Sequence, residues 1–280
     1  MRRTIPTNCK QRIPPKRYDS FVFITAKTDH RIIGLTVQGD GNRKTMATAE
    51  CTVRQANADL TRLRFTPAVD IPVNSPTDER KCNLSSMLHI AGSRLLLADL
   101  NNQTVKLVDM QTRYLVSNIS VQGPPWDMCH LPGERVAVTM ARNGIQFLET
   151  GGQLALGDRI ELDGDCRVVG EGSTASIYVS DMRRNKITKL DMNLHIIKTF
   201  QDPALKEPRS ITALGDQLLI CGYGSNTIMT LNLSTGQMTQ LMGEKEGIRD
   251  PMFALYCPQQ CKLLVTEHLP NKIKVFNTIE

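Results

Sequence analysis

The chain has 280 residues, 40% of them hydrophobic, and a formal net charge of +6 from 34 basic and 28 acidic side chains. It is long enough to bury a sizeable core, and no apolar run approaches the ~20 residues needed to span a bilayer, which argues against a membrane partner. Arg2, Arg3, Lys10, Arg12, Lys16 and Arg17 open the chain with no acid among them, so the charge excess belongs to one end and the rest is close to neutral.

Residues 1–19, basic and holding Pro6, Pro14 and Pro15, read as a disordered tail. They have no apolar stretch with a small-residue cleavage site, so a cytoplasmic setting is expected. Residues 20–83 read as an N-terminal segment, helical in part and extended in part. Phe21–Ala26 and Arg31–Val37 are apolar-periodic, and Asp40-Gly41-Asn42 is a turn signal. Between Lys44 and Leu63, Met46, Ala49, Val53, Ala56, Leu60 and Leu63 fall at spacings of three and four, one face of a helix. Arg62–Val73 reads as extended, because Pro67 and Pro72 disfavour helix in place and one residue before. Asn74–Cys82 is a polar linker.

Residues 84–280 are organised by a repeat. RLLLADLNNQTVKLVD (Arg94–Asp109) returns at Arg135–Glu149, Ser176–Asp191, Gln217–Asn232 and Lys262–Asn277. Each copy is a short Val/Ile/Leu-rich run, a polar turn with Asn, and a second run beginning at Val105, Ile145, Ile187, Ile228 or Ile273. A period near forty residues signals stacked supersecondary units. With the intervening runs Tyr114–Val121, Ile196–Phe200 and Met238–Met242 it makes about four strands per copy, the blade of an all-β propeller. Asn102, Asn143, Asn185, Asn226 and Asn271 suit the turns because Asn tolerates left-handed dihedrals and can bond nearby backbone. Blades begin near Leu84, Trp126, Cys166, Ser210 and Met252. Only Asn277-Thr278-Ile279-Glu280 follows the last run, so the fifth blade lacks its outer strand. Either Arg62–Val73 supplies it, or the array is open and lacks a sixth blade.

These repeats resemble the NHL repeats of tripartite-motif (TRIM) proteins. LLLADLNNQTVKLVD (Leu95–Asp109), GPPWDM (Gly123–Met128), IYVSDMRRNKITKLD (Ile177–Asp191) and LLVTEHLPNKIKVF (Leu263–Phe276) carry the likeness over residues 84–277. FVFITAK and LRFTPAVDI resemble the end of the coiled coil that precedes such propellers. The resemblance implies a six-bladed binding module, a scaffold that presents protein substrates in ubiquitin ligation, or one that binds RNA as some NHL propellers do. The zinc-binding RING and B-box modules of TRIM ligases have no counterpart here, so the chain is expected not to be an enzyme.

Candidate chemistry is sparse. The acid after the first run (Asp99, Asp181, Glu267) is replaced by Met140 and Gly222 in the other copies, which favours hydrogen bonding within turns over a metal ring. The eight cysteines lack CxxC spacing; Cys257-Pro-Gln-Gln-Cys261 is the one close pair, and structural thiols are expected. No metal or cofactor is expected. Motifs of nucleophilic or phosphate chemistry are absent, which leaves a propeller hydrolase or lyase as the third alternative.

The functional expectation comes from topology. In an up-and-down blade, the turn between strands two and three shares a face with the segment leading into the next blade. That gathers Arg142, Arg183, Arg184 and Lys186 from turns with Trp126, Arg167 and Arg209 from lead-ins. Trp and Arg are enriched at interface hot spots and also suit phosphate contact and base stacking. The competing expectation is a solvated face balanced by Asp127, Asp165, Asp181 and Glu207. A protein partner comes first and RNA second; oligomeric state is left open.

Overall fold

The structure, a computed structural model, describes residues 24–27, 59–131, 133–140, 144–160, 176–190, 196–269 and 271–279. The strands in chain order begin with β1 (Ile24–Lys27), β2 (Arg64–Pro67) and β3 (Ile71–Pro72). Blade one is β4 (Leu84–His89), β5 (Arg94–Asp99), β6 (Thr104–Asp109) and β7 (Tyr114–Ser120). Blade two is β8 (Pro125–Leu131), β9 (Arg135–Met140), β10 (Gly144–Glu149) and β11 (Ala155–Ile160). Blade three holds β12 (Ser176–Asp181), β13 (Lys186–Leu190) and β14 (Ile196–Gln201), with β1 antiparallel to β12. Blade four is β15 (Pro208–Leu214), β16 (Gln217–Gly222), β17 (Thr227–Asn232) and β18 (Met238–Met242). Blade five is β19 (Pro251–Cys257), β20 (Lys262–Glu267) and β21 (Lys272–Ile279), joined by β2 and β3.

The fold is an all-β, five-bladed propeller, so the sixth blade implied by the family resemblance is not needed. The ring closes on the N-terminal segment: β21 pairs with β20 on one edge and with β2 and β3 on the other. Arg62–Val73 is thus the missing outer strand, and it satisfies backbone groups that an open blade would leave at an edge. The expected start of blade three near Cys166 lies outside the described residues, and β1 occupies the place beside β12. The tail at 1–19 and most of the expected helix also lie outside them; the helix's last turn is a 3-10 turn, Leu60–Arg62, capped by the Asp59 carboxylate. Among the described residues no helix is long and apolar enough to cross a membrane.

The core is a set of layers between blades. Successive strand side chains point to opposite faces, and both faces of a blade are covered, so the runs are continuously apolar. Leu95 and Leu97 enter the layer shared by blades five and one, while Leu96 and Ala98 enter the layer shared with blade two. Leu60, fully buried, plugs the layer between blades four and five.

The turn asparagines stitch these blades together. Asn185 and Asn226 adopt left-handed dihedrals (φ 53 for both), as expected. Their side chains reach further than expected, to the next blade. Asn185 Oδ1 accepts from Glu207 N at 2.8 Å and Asn226 Oδ1 from Asp250 N at 2.7 Å. Asn271 Oδ1 accepts from Cys82 N at 3.4 Å, carrying the device across the closure from blade five to blade one.

Candidate functional site

The innermost strands β4, β8, β15 and β19 start on one face, here the upper face, and each is bulged at its start. Leu84 pairs with Asp99 but Ser86 with Ala98; Pro125 pairs with Met140 but Asp127 with Thr139; Pro251 pairs with Glu267 but Phe253 with Thr266. In β15 the irregularity runs from Pro208 to Ile211. A bulge frees one residue from the ladder and re-aims its side chain. The freed residues are Ser85, Trp126 and Met252, while in β15 Arg209 and Ser210 together face Cys221; Ser85, Trp126, Arg209 and Met252, the second residues of their strands, are set around the upper mouth of the propeller axis. Trp126 and Arg209, predicted from sequence, are therefore equivalent positions of one ring, and both are half-buried.

Beside Trp126, Asp127 Oδ1 accepts from Ser86 Oγ and from Met128 N, each at 2.8 Å. Burial pushes its carboxyl up to about 6, against the lowering effect of those two donors, although part of the residue is open to solvent. Across the mouth the Arg209 guanidinium stacks on Tyr223 with 5.0 Å to the ring centroid. Burial lowers its pKa, while Tyr223 and Glu207 oppose that. Tyr223 Oη lies 3.4 Å from His268 Nδ1, and the two rings meet edge to face. Neither Tyr223 nor His268 was singled out from sequence. Both sit in turns between second and third strands, one blade apart, so only the ring geometry joins them.

The remaining predicted cations are more solvated. Arg183 and Arg184 are exposed in the turn of blade three, and Lys186 opens β13. Arg184 reaches the Asp181 carboxylate at 3.5 Å, an exposed pair that agrees with the expectation of balancing acids. Arg142 and Arg167 lie outside the described residues.

The recurrent acids serve the backbone. Asp99 Oδ1 accepts from Asn83 N at 3.0 Å and Glu267 Oε1 from Arg249 N at 2.7 Å. In blade four Gly222 stands at the acid's position, and Ser225 Oγ accepts from Lys206 N at 3.1 Å instead. Sequence reasoning missed the cation of blade one. Lys106 is fully buried, with Nζ 2.7 Å from Asp78 Oδ2, 2.8 Å from Asp99 Oδ2 and 3.1 Å from Cys82 Sγ. Asp78, Cys82 and Asp99 are close enough to hold a metal ion, but the ammonium already donates to all three. Burial favours the neutral amine, and the bonds to Asp78 and Asp99 outweigh it, so the Lys106 pKa is raised. Burial pushes the Cys82 thiol up to about 12 despite the nearby ammonium. The cage ties the polar linker, and through it the closing strand, to blade one. Lys274 in blade five is the equivalent lysine, 2.8 Å from Glu267 Oε1.

Cys257 is buried at the end of β19 and Cys261 is exposed beyond a 3-10 turn; both are free thiols. Burial pushes Cys257 up to about 12, which keeps it protonated and unreactive.

No family model and no curated protein matches the chain. Solved structures share its fold. A catalytically inactive histidine-to-alanine variant of virginiamycin B lyase from Staphylococcus aureus, with quinupristin, aligns at TM-score 0.55 and 11% identity, covering 78% of this chain and 99% of that one. Glutaminyl cyclase from Myxococcus xanthus aligns at TM-score 0.51 and 9% identity, covering 77% and 97%. A streptogramin B lyase aligns at 0.51 and 9%, covering 78% and 98%. At these identities the likeness is one of fold, and a β-propeller is what it shows of the family resemblance. It also corrects the expectation that the chain is not an enzyme, since structures of this fold include a cyclase and lyases. The physical reason is that a propeller assembles its mouth from loops of different blades, so linear motifs and the lack of a RING do not decide the matter.

Proposed function

We propose that the upper mouth of the propeller docks a segment of a protein partner, with Trp126 and Arg209 as anchors and Arg183, Arg184 and Lys186 as flanking charges. The carrying observation is the bulge that sets Trp126 and Arg209 at equivalent places in one ring. Anchors of these types, half-buried on a rigid scaffold, lose little freedom on binding. The resemblance to NHL repeats of TRIM proteins supports a finer reading, a cytoplasmic substrate held for ubiquitin ligation. The test is capture from a cell extract by wild type and by Trp126→Ala and Arg209→Ala variants of unchanged melting temperature. Loss of the same protein from both variants supports docking, and equal capture by all three refutes it. A signal removed by ribonuclease and falling steeply with salt would assign the face to RNA.

A second reading, acid–base catalysis at the same mouth, is favoured by the contact between Tyr223 Oη and His268 Nδ1 at 3.4 Å. Ring opening of a cyclic depsipeptide such as quinupristin, abolished by His268→Ala, would support it. Absence of turnover at micromolar protein would remove it for that substrate class.

A further inference from the structure

We propose that a second site, at the seam where the closing strand meets blade one, binds the free carboxy terminus of a partner polypeptide ending in an aliphatic residue. The site lies toward the lower face, away from the mouth. Lys262 opens β20, and Gln111 and Arg113 lie in the turn between β6 and β7, all at the lower end of their blades.

The groove has a physical origin in the closure. Between the pairs Pro67↔Phe276 and Ile71↔Ile273 the closing strand takes four residue steps while β21 takes three. The extra residue bulges the strand, and Val69 stands out 62% exposed beside the small side chain of Ala68. What opens is a groove of about 290 Å³. Its floor is apolar: Ile71, Met110 and Val275 lie just beneath it, at most 3% exposed and continuous with the core layer of blades five and one, and Ala68 and Val69 offer the apolar surface open to a ligand.

Two cations flank that floor, Arg113 and Lys262. Neither makes an ion pair among the described residues. The acids next to the groove residues in the chain are already committed. The Asp109 carboxylate accepts from Ser93 Oγ at 2.6 Å and from the Gln111 and Thr112 amides, and Asp70 pairs with Lys272 at 2.6 Å. An apolar floor between two uncompensated cations calls for an aliphatic group and an anion close together.

Size narrows the occupant. An apolar cavity of about 150 Å³ takes a molecule of benzene size, and drug-sized ligands use roughly 300–1,000 Å³. A groove of about 290 Å³ therefore suits one side chain together with one carboxylate. A terminal Leu, Ile or Val carries both on a single residue, whereas an internal Asp or Glu places its charge where the floor needs carbon. Guanidinium and ammonium donors make charge-assisted hydrogen bonds to a carboxylate that an amide cannot replace.

Fluorescence anisotropy with an amino-terminally labelled Ser-Ser-Gly-Leu peptide tests this on the full chain. Saturable binding is expected with the free carboxylate, weakened at least tenfold by amidation and severalfold by Arg113→Gln or Lys262→Gln. Ala68→Leu fills the groove and should abolish binding without lowering the melting temperature, and Arg209→Ala should change nothing. If Ala68→Leu does not fold, the exposed Arg113→Gln variant carries the test. Equal affinity for the amidated peptide, or no saturation at millimolar peptide, overturns the proposal. N-acetyl-leucine binding as tightly as the peptide would overturn the polypeptide occupant and leave a site for small carboxylates.

Discussion

Replacing Lys106 by Met tests the cage that joins the closing strand to blade one. Methionine fits the place sterically, because Met229 occupies the equivalent position of blade four and is 1% exposed. What the substitution removes is the ammonium 2.7 Å from Asp78 and 2.8 Å from Asp99, which leaves two carboxylates facing each other in the interior. Breaking a buried pair by deleting one partner destabilises by about 3–5 kcal/mol, a large part of the 5–15 kcal/mol that typically holds a domain. At about 2–4 °C per kcal/mol for a chain of this size, the melting temperature should fall by about 6–20 °C. Lys274→Met is the internal control. Its pair with Glu267 is partly solvated, at 21% and 17% side-chain exposure, and should cost about 1 kcal/mol or less.

The pH dependence separates charge from packing. The Asp99 pKa is lowered, because Asn102, Lys106 and the Asn83 amide together outweigh its burial. Its contribution is therefore present above the usual carboxylate value and lost as pH falls through the lowered one. The Lys106 pKa is raised, so its contribution is present below the usual lysine value and lost as pH rises through the raised one. In Lys106→Met the orphaned carboxylates become easier to protonate, so the deficit should shrink between pH 7 and pH 5. Urea unfolding followed by circular dichroism at both pH values measures this, and adding Asp99→Asn should recover part of the loss. A Lys106→Met variant within 1 kcal/mol of wild type at pH 7 would refute the charge cage.

Asp127 is raised to about 6 from the usual 3.8, so the folded state binds more protons than the unfolded one between these values. Its contribution is full below about pH 4 and lost as pH rises through about 6, and Asp127→Asn should be more stable than wild type by about 1–2 kcal/mol at pH 7.5, allowing for partial solvation. Equal stability of the two at pH 7.5 in urea titrations would contradict the shift. Asn226→Ala loses the bond to Asp250 N and puts at φ 53 a residue that tolerates the left-handed region less well than Asn, so calorimetry should show a loss of about 1–3 kcal/mol, with Asn226→Gly losing less. Leu60→Ala, at a fully buried plug, should lose about 2–5 kcal/mol by urea unfolding although its chain neighbours are exposed.

The architecture was legible where a periodic signal meets a geometric need. The apolar runs and their turns recur at a nearly fixed interval, and the boundaries of β4, β7, β18 and β19 fall within two residues of the expected ones. Closure by Arg62–Val73 was legible because an unfinished blade and an extended, proline-marked segment call for one another. Contacts across blades were not. Asn185, Asn226 and Asn271 looked like local turn residues because their partners lie 22, 24 and 189 positions away. Lys106 lies at a nominally polar place in β6, and only the fold brings Asp78 from the linker against it. Tyr223 and His268 each directly follow the acid position of their repeat, but only the adjacency of their blades brings the two together.

The bulge explains why the candidate site uses irregular residues of a regular chain. At most strand positions both the ladder and an inter-blade layer constrain the side chain, as the near-continuous burial of β5 and β16 shows. The second residue of the innermost strand is released from its ladder partner in blades one, two and five, and in blade four the second and third residues share one partner. There the chain carries Ser85, Trp126, Arg209 and Met252: a hydroxyl, an indole, a guanidinium and a thioether at one structural position. Blade one uses the position in folding, since Ser85 Oγ donates to Pro125 O of blade two at 2.9 Å. In blades two and four Trp126 and Arg209 are half-buried, which leaves part of each side chain open to what comes to the mouth, whether a docked segment or a substrate. Replacing Trp126 by Ser, the residue its own repeat carries in blade one, should cost about 1 kcal/mol of unfolding free energy while removing any ligand that the indole anchors.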